Sequence, residues 1–360
     1  VRYEKDSKVN SVALRAGDIV LENSGGTDSR PTGRTVFVTN ELIDAYDCPV
    51  IPASFCRLLR FDNRSNSEFV YYWLQEMYSA GRTWGYQNRS TGLSNFQYKV
   101  FAGSELLPDL PIEVQSKIAS VLSAFEKKIR ENNRLNDYLA EHLKSYAKRL
   151  YREYERDEGA DLPEGWHWTT IGEISKMVCR GITPKYNDES DELILGQTCI
   201  RNNLVLLENG RLHAPRKITE KWLKKYDLLI NSTGVGSLGR TAQVWFDPSK
   251  LVVDSHVTIV RAADPRHALY MGFWAFEHER YIESLHTGST GQTELPRDHV
   301  KAIRLVLPSD AELEKFNAVA RPAVELIVAN QKESKQLAEL RDTLLPKLMS
   351  GEIDVSSVVI

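Results

Sequence analysis

The stretch "LLINSTGVGSLGRTAQVWF", Leu228 to Phe246, decides how this chain is read. An apolar run ends in Gly234, Gly236 and Gly239, which reproduces the G-x-G-x-x-G spacing of a dinucleotide loop. That chemistry needs the third glycine to open a helix whose amides hold a pyrophosphate, inside a strand–helix–strand unit. Here Gly239 is followed by Arg-Thr-Ala-Gln-Val-Trp-Phe and then Pro248. The run is β-branched, aromatic and roughly alternating, so it predicts a second strand. The glycines then fall in a hairpin loop, where a left-handed φ costs them little. A nucleotide-dependent enzyme built on the Gly234 loop is the rival reading.

The same stretch has an echo. "GDIVLENSGGTDSRPTGRTVFV", from Gly17, matches "YDLLINSTGVGSLGRTAQV", from Tyr226, with Asp18 beside Asp227 and Gly33-Arg34-Thr35 beside Gly239-Arg240-Thr241. The first copy lacks the three-glycine spacing, so phosphate binding is not what the loops share. "PASFCRLLR" (Pro52 to Arg60) parallels "DSHVTIVR" (Asp254 to Arg261), and "FVYYWL" parallels "YMGFWA", aligning Trp73 with Trp274. "RSTGLSNF" (Arg89 to Phe96) parallels "GSTGQTEL" (Gly288 to Leu295), and Leu107-Pro108 matches Leu307-Pro308. The offset stays at about 200 residues, which is too long for a solenoid and reads as a pseudo-dimer in one chain. The second copy opens earlier, at "LPEGWHWTTIGEI" from Leu162. Projected back, the first copy's opening falls about 47 residues before Val1, which predicts further N-terminal sequence or a permuted chain.

Each copy runs into a long helix. From Ile118 the seam passes Leu122, Phe125, Ile129, Asn132, Asn136, Leu139, Leu143, Tyr146 and Leu150. Its counterpart is Phe316, Ala320, Ala323, Ile327, Asn330, Ser334, Leu337, Arg341, Leu344 and Leu348. Steps of four and three make a heptad seam, polar at its centre in both copies. Asn132, Asn136, Asn330 and Ser334 are the candidate register-setting residues, since a slip would leave an amide facing carbon. Pro322 and Pro346 predict a kink or a frayed end in the second helix. Two such helices packed antiparallel would hold two modules apart, a device suited to two separated sites on one polymer.

Composition sets the outer limits. The 360 residues are 42% hydrophobic, enough for two or more cores, and no run nears the roughly twenty apolar residues of a membrane span. "VRYEKDSK" does not resemble a secretion signal. Cys48, Cys56, Cys179 and Cys199 have no metal-ligand spacing and suit a reducing cytosol. A net charge of −3 means that any nucleic-acid contact must come from local patches.

The candidate contact loops carry small polar residues and arginine, the set that reads base edges and grips phosphates. In the first module these are Asn23, Ser24, Arg30, Thr32, Arg34, Arg89, Ser90, Thr91 and Asn95. In the second they are Arg180, Thr183, Lys185, Tyr186, Arg201, Asn202, Asn203, Asn231, Ser232, Ser237, Arg240, Ser289, Thr290, Gln292 and Arg297. "RKITEKWLKK" (Arg216 to Lys225) is a further basic patch, or else a solvated helix face. Catalytic constellations are weaker. Pro108-Asp109 with Glu126-Lys127-Lys128 mimics a nuclease signature, but its Glu and Lys fall on the heptad helix rather than on a sheet. There is no Pro-Pro dipeptide, no P-loop and no His-x-x-x-His, and His256 in a strand reads as a packed or loop-facing side chain.

The ordered set of stretches resembles the DNA-specificity subunits of type I restriction-modification systems. It is carried by "LPEGWHWTTIGEI", "GITP" (Gly181 to Pro184), the Tyr226 hairpin, "RSTGLSNFQYKVF" with the helix that follows, "GSTGQTELPRDHVKAIRLVLP", and the tail "LRDTLLPKLMSGEI" (Leu340 to Ile353). The resemblance implies an α+β fold: two mixed α/β target-recognition domains in pseudo-two-fold arrangement, joined by two long antiparallel coiled-coil helices. The expected division is a recognition domain at 1–110, a scaffold helix at 111–157, a second recognition domain at 158–308, and a second helix with tail at 309–353. Ile118–Tyr151 and Phe316–Met349 would be the scaffold. The implied role is non-catalytic: each domain reads one half of an asymmetric bipartite site on double-stranded DNA, and the helices set the spacer. Two modification subunits, using S-adenosylmethionine to methylate adenine, and ATP- and Mg-dependent restriction subunits would be the partners. No cofactor or metal is expected on this chain, and its location would be the prokaryotic cytoplasm. A pure coiled-coil scaffold that does not bind DNA is the other rival.

Overall fold

The computed structural model describes residues 3–62, 65–90, 93–157, 159–214, 220–288 and 293–355. The chain forms two compact units, Val1–Glu131 with Glu333–Ile360, and Asn132–Lys332. Each combines antiparallel sheet with helices, so the architecture is α+β.

In the first unit a three-stranded antiparallel sheet has the order Thr35–Phe37, Ile19–Glu22, Cys56–Leu59. Ile19 stands opposite Phe37 on one side and Leu59 on the other. Strand Ile19–Glu22 alternates buried and half-buried positions, the mark of a sheet with one face on the core. The helix Ser67–Ser79 is started by Asn66, whose side chain accepts the Phe69 amide at 2.9 Å. It packs Phe69, Tyr72, Trp73 and Met77 into that core. A smaller sheet joins Ser24–Gly26, Leu93–Phe96 and Gln87–Ser90.

The second unit holds a four-stranded antiparallel sheet, ordered Thr241–Gln243, Leu228–Asn231, Val257–Ala262, Ser175–Arg180. Leu228 stands opposite Gln243 and Val260. The first three strands repeat the first unit's sheet in the same order and register. Residues 268–276 of the helix Ala268–Glu277 are buried on every side, so the sequence is apolar all round rather than along a stripe. Gly272 is required there: a Cβ would stand 2.4 Å from Oε1 of Gln243. That amide ties the hairpin to the helix by donating to the Ala268 carbonyl at 2.7 Å. The module's opening supplies strand His167–Thr170, paired with Arg304–Leu307. A further sheet sets Glu192–Leu195 between Arg211–His213 and Leu251–Val253.

Two long helices, Ile112–Arg156 and Asp310–Met349, pass through both units. At 1.5 Å per residue the first is about 68 Å long. Within the first unit they run antiparallel, with Lys128 reaching Glu333 at 3.4 Å and Glu126 reaching Arg341 at 3.6 Å. Ile118, Leu122, Leu345 and Leu348 enter the core there. Within the second unit Leu143, Ala147 and Leu150 of one helix share a core with Phe316, Ala320, Val324 and Ile327 of the other. Each large apolar side chain so buried contributes about 1.5–3 kcal/mol. Much of the heptad seam read from the sequence packs, but the buried positions fall at Val324 and Leu345, one residue after the expected Ala323 and Leu344. The second helix runs through both Pro322 and Pro346 and ends at Met349. Both prolines stand on the exposed face, where water can serve the carbonyl one turn back.

Candidate nucleic-acid interface

The duplication extends to individual atoms. In the first unit Arg60 forms a two-point ion pair with Asp18, Nε to Oδ1 at 2.7 Å and Nη2 to Oδ2 at 2.6 Å. In the second, Arg261 grips Asp227 through the same atoms at 2.7 and 2.6 Å. Each aspartate also accepts a backbone amide three residues back, from Arg15 at 2.7 Å and from Lys224 at 2.8 Å. Each arginine donates Nη2 to a carbonyl five residues before its aspartate, Ala13 at 2.9 Å and Trp222 at 2.7 Å. The residue preceding the aspartate is left-handed in both, Gly17 at φ 88° and Tyr226 at φ 70°. Paired forks of this kind fix direction as well as distance. They bolt the start of each hairpin to the end of the neighbouring strand.

From these bolts the hairpins project. The amide of Glu22 donates to the Arg34 carbonyl at 2.8 Å, and that of Asn231 to the Arg240 carbonyl at 2.9 Å, so Arg34 and Arg240 are equivalent. Gly234, Gly236 and Gly239 all have left-handed φ, between 72° and 96°. They form the predicted hairpin loop, with strand Thr241–Gln243 following, and no helix opens at Gly239 to hold a pyrophosphate. Gly239 is doubly constrained, because a Cβ would meet the Glu283 backbone at 2.8 Å.

The two loop ends differ in chemistry. In the first unit Glu22 collects the arginines: Arg34 donates Nε and Nη2 to its carboxylate at 3.0 and 2.7 Å, and Arg30 approaches at 3.8 Å. The hydrogen bond to Glu22 holds the Arg34 guanidinium still more firmly protonated. Asn231 replaces Glu22 in the second unit, so Arg240 has no carboxylate at that place. Ser24 hydrogen-bonds Asn95 across the smaller sheet, and Asn23 lies alongside with its amide on the Phe55 carbonyl. At the matching end of the second unit Gln197 and His256 both reach the Thr233 hydroxyl, His256 at 2.8 Å. Arg180 donates to Glu294 and to the Leu295 carbonyl, each at 2.8 Å, and burial lowers its pKa from the ordinary arginine value.

Several candidates are buried or make contacts within the fold. Thr32, Asn231 and Ser232 are fully buried; Asn231 holds the Gln197 carbonyl and Ser232 the Thr258 hydroxyl, at 3.1 and 2.6 Å. Asn202 and Asn203, at φ 54° and 61°, are the two-residue turn between Ile200–Arg201 and Leu204–Val205, the pattern of a type I′ hairpin. Ser237 closes its own loop on Thr233 and Gly234. Some of the others are open to solvent. Arg201, Thr183 and Lys185 are exposed, Arg297 lies at the start of helix Arg297–Ala302, and Tyr186 lies under the Arg211 guanidinium, 3.4 Å from its ring centre. Strand Gln87–Ser90 carries Arg89 and Ser90. Thr91, Ser289, Thr290 and Gln292 lie outside the described residues, as does 216–219 of the basic patch. Residues 220–225 are not helical, and Lys221 donates to the Gly181 carbonyl at 2.9 Å. Glu126, Lys127 and Lys128 sit on the long helix, away from any sheet. Among the described residues no three His, Cys, Asp or Glu side chains gather as a metal site.

Sequence reading missed Glu22, Gln197, Thr233, Glu294 and the Arg60 and Arg261 partners of the aligned aspartates. The last had a signal, since both arginines end the matched segments "PASFCRLLR" and "DSHVTIVR". The others are visible only once strands from distant sequence meet.

No family model matches the chain. It is 24% identical over 265 residues to the type I restriction enzyme MjaIX specificity subunit of Methanocaldococcus jannaschii, covering 68% of this chain and 60% of that subunit. It is 22% identical over 199 residues to the HindI specificity subunit of Haemophilus influenzae, covering 53% of this chain and 42% of that one. The chain thus spans less than two thirds of the length of these relatives. Its fold is similar to that of the S subunit of a type I restriction-modification system from M. genitalium, with a TM-score of 0.58 at 17% identity over 94% of this chain and 84% of that one. Duplicated bolts, paired long helices and these likenesses agree: the chain is similar in sequence to type I restriction enzyme specificity subunits and shares the fold of one of them.

Proposed function

We propose that this chain recognises double-stranded DNA for a type I restriction-modification complex, each unit reading one half of an asymmetric, bipartite site. One observation carries the reading: the same bolted frame appears twice, and the hairpin loops it projects differ in length and chemistry. Eleven residues, 23–33, bridge the first frame and eight, 232–239, the second. Identical frames with unlike loops are what two different half-sites need, whereas a single active site gains nothing from them. In this reading Arg34, Arg240, Arg180, Arg201, Lys185, Arg297, Asn23, Ser24 and Asn95 are the side chains that reach bases or phosphates. In this reading the chemistry belongs to partners. Two modification subunits bring S-adenosylmethionine and methylate adenine, and restriction subunits bring ATP and Mg. The chain itself acts in the prokaryotic cytoplasm; no described helix is long and apolar enough to cross a membrane.

The test is single-molecule sequencing of modified bases in a host that carries this chain with its modification subunits. A split, asymmetric methylated motif is expected. Lengthening both long helices by one heptad should widen the gap between its halves by about 10 Å, close to three base pairs. An undivided motif, or a gap unchanged by the insertion, overturns the reading.

A further inference from the structure

The two units differ at one set of equivalent positions on the long helices, and the difference is systematic. In the first unit two layers are charged: Glu126 faces Arg341 at 3.6 Å, and Lys128 faces Glu333 at 3.4 Å. The Tyr72 hydroxyl donates to Glu126 beneath them. The register that matches Asn132 with Asn330 matches Glu126 with Val324 and Arg341 with Leu143, and it matches Lys128 with Leu326 and Glu333 with Leu135. Tyr72, one residue before Trp73, corresponds to Phe273, one residue before Trp274. So the second unit has carbon wherever the first has a charge or hydroxyl. Leu143, Phe273 and Val324 are completely buried in one core.

Because the halves share a frame, a second pairing is open to two copies of the chain. Like helices could pack together in the same antiparallel register. First helix on first helix would set Glu126 against Leu143 and Lys128 against Leu135 of the other copy. Second helix on second helix would set Arg341 against Val324 and Glu333 against Leu326. The meetings of Glu126 and Arg341 leave a part-buried charge facing carbon, which is disfavoured; those of Lys128 and Glu333 lie at the exposed edge, where Leu135 and Leu326 are themselves open to solvent, and add little. A part-buried ion pair contributes little net stability over carbon of the same shape. Polar pairs of that kind are best attested as devices that choose partners.

We propose that the charged layer Glu126–Arg341, set against the apolar layer Val324–Leu143 and helped at the exposed edge by Lys128–Glu333, makes the two long helices of one chain pair with each other and refuse like helices of another copy. The device matters most during synthesis, when the first long helix is exposed before the second exists. It rests on the duplicated frame alone and not on the DNA reading.

Two differently tagged full-length copies, co-expressed, test it. The wild-type copies should not capture each other. Copies carrying E126V, K128L, E333L and R341L, which make the first unit's layers like the second's, should co-purify as mixed dimers at least several-fold above wild type by native mass spectrometry. A milder variant keeps the idea exposed if that one does not fold. It carries E126V and R341L alone, which removes the part-buried layer that like helices would face with carbon. It should form mixed dimers above wild type, though fewer than the fourfold variant. Mixed dimers from wild type, or monomers only from both sets of variants, overturn the proposal.

Discussion

Asn330 donates its side-chain amide to the Asn136 carbonyl oxygen at 2.9 Å, and both lie buried between the long helices of the second unit. Asn132 points its amide at the Asn330 backbone from one turn earlier, at 3.5 Å. Asn330→Ala leaves the Asn136 oxygen buried without that donor and should cost about 1–3 kcal/mol, read as a lower urea midpoint. The pair N136L and N330L together should be neutral or stabilising, because no orphan remains. If the double variant is as damaged as the single, the amides are not a matched pair.

The ion pairs Asp227–Arg261 and Asp18–Arg60 share geometry but not burial. The Arg261 side chain is 9% exposed and that of Arg60 is 36% exposed. Removing one partner of a buried pair costs about 3–5 kcal/mol, since the other charge is stranded, and much less where water can replace it. Asp227→Ala should therefore unfold its unit at clearly lower denaturant than Asp18→Ala unfolds the other. Equal losses in hydrogen exchange of the two sheets would contradict this.

Glu126 gives the first unit a pH dependence with a definite sign. Burial raises its carboxyl above the unfolded value near 4.5; Arg341, Tyr72 and Arg130 pull it back, and Asp342 adds to the rise. Glu68, nearby, is raised by burial and then by Glu126 itself. A raised folded pKa gives stability that is complete below the unfolded value and is lost as pH climbs through the folded one. Glu126→Gln, fixed in the neutral form, should match wild type near pH 4 and surpass it in Tm by pH 7. A Tm difference that does not change with pH would rule this out.

Recognition should respond unequally to two equivalent arginines. Arg240→Ala should cost about 1–3 kcal/mol at one half-site only. Arg34→Ala should cost less at the other half-site, because Glu22 already holds two of its nitrogens. Glu22→Gln should then tighten binding at that half-site. Gel shifts with single half-site substitutions in the DNA measure each arm; equal damage at both half-sites from either arginine would break the modular division.

The frame was legible because it is repeated. One hairpin with three glycines is ambiguous, but a second copy without the glycine spacing removes phosphate binding as the shared purpose. The seam was legible because a heptad is a local pattern. Contact residues were far less so. Asn231, Ser232 and Thr32 have the composition of a binding loop yet are buried, and composition does not say which way a loop residue turns. Asn202 and Asn203 were read as contacts, but their order and spacing between two short strands are turn chemistry. Glu22 was invisible as the neutraliser of Arg34 because nothing marks a strand-end glutamate until the hairpin folds back.

The bolts lie outside the loops they support. Asp18 and Asp227 precede the outgoing strand, and Arg60 and Arg261 end a strand beyond the hairpin. Whatever is inserted, trimmed or rewritten between Glu22 and Arg34, or between Asn231 and Arg240, leaves both anchors and their four charge-assisted bonds where they are. On the proposed reading, new tastes in sequence can thus be acquired in one hairpin without renegotiating the architecture that carries it.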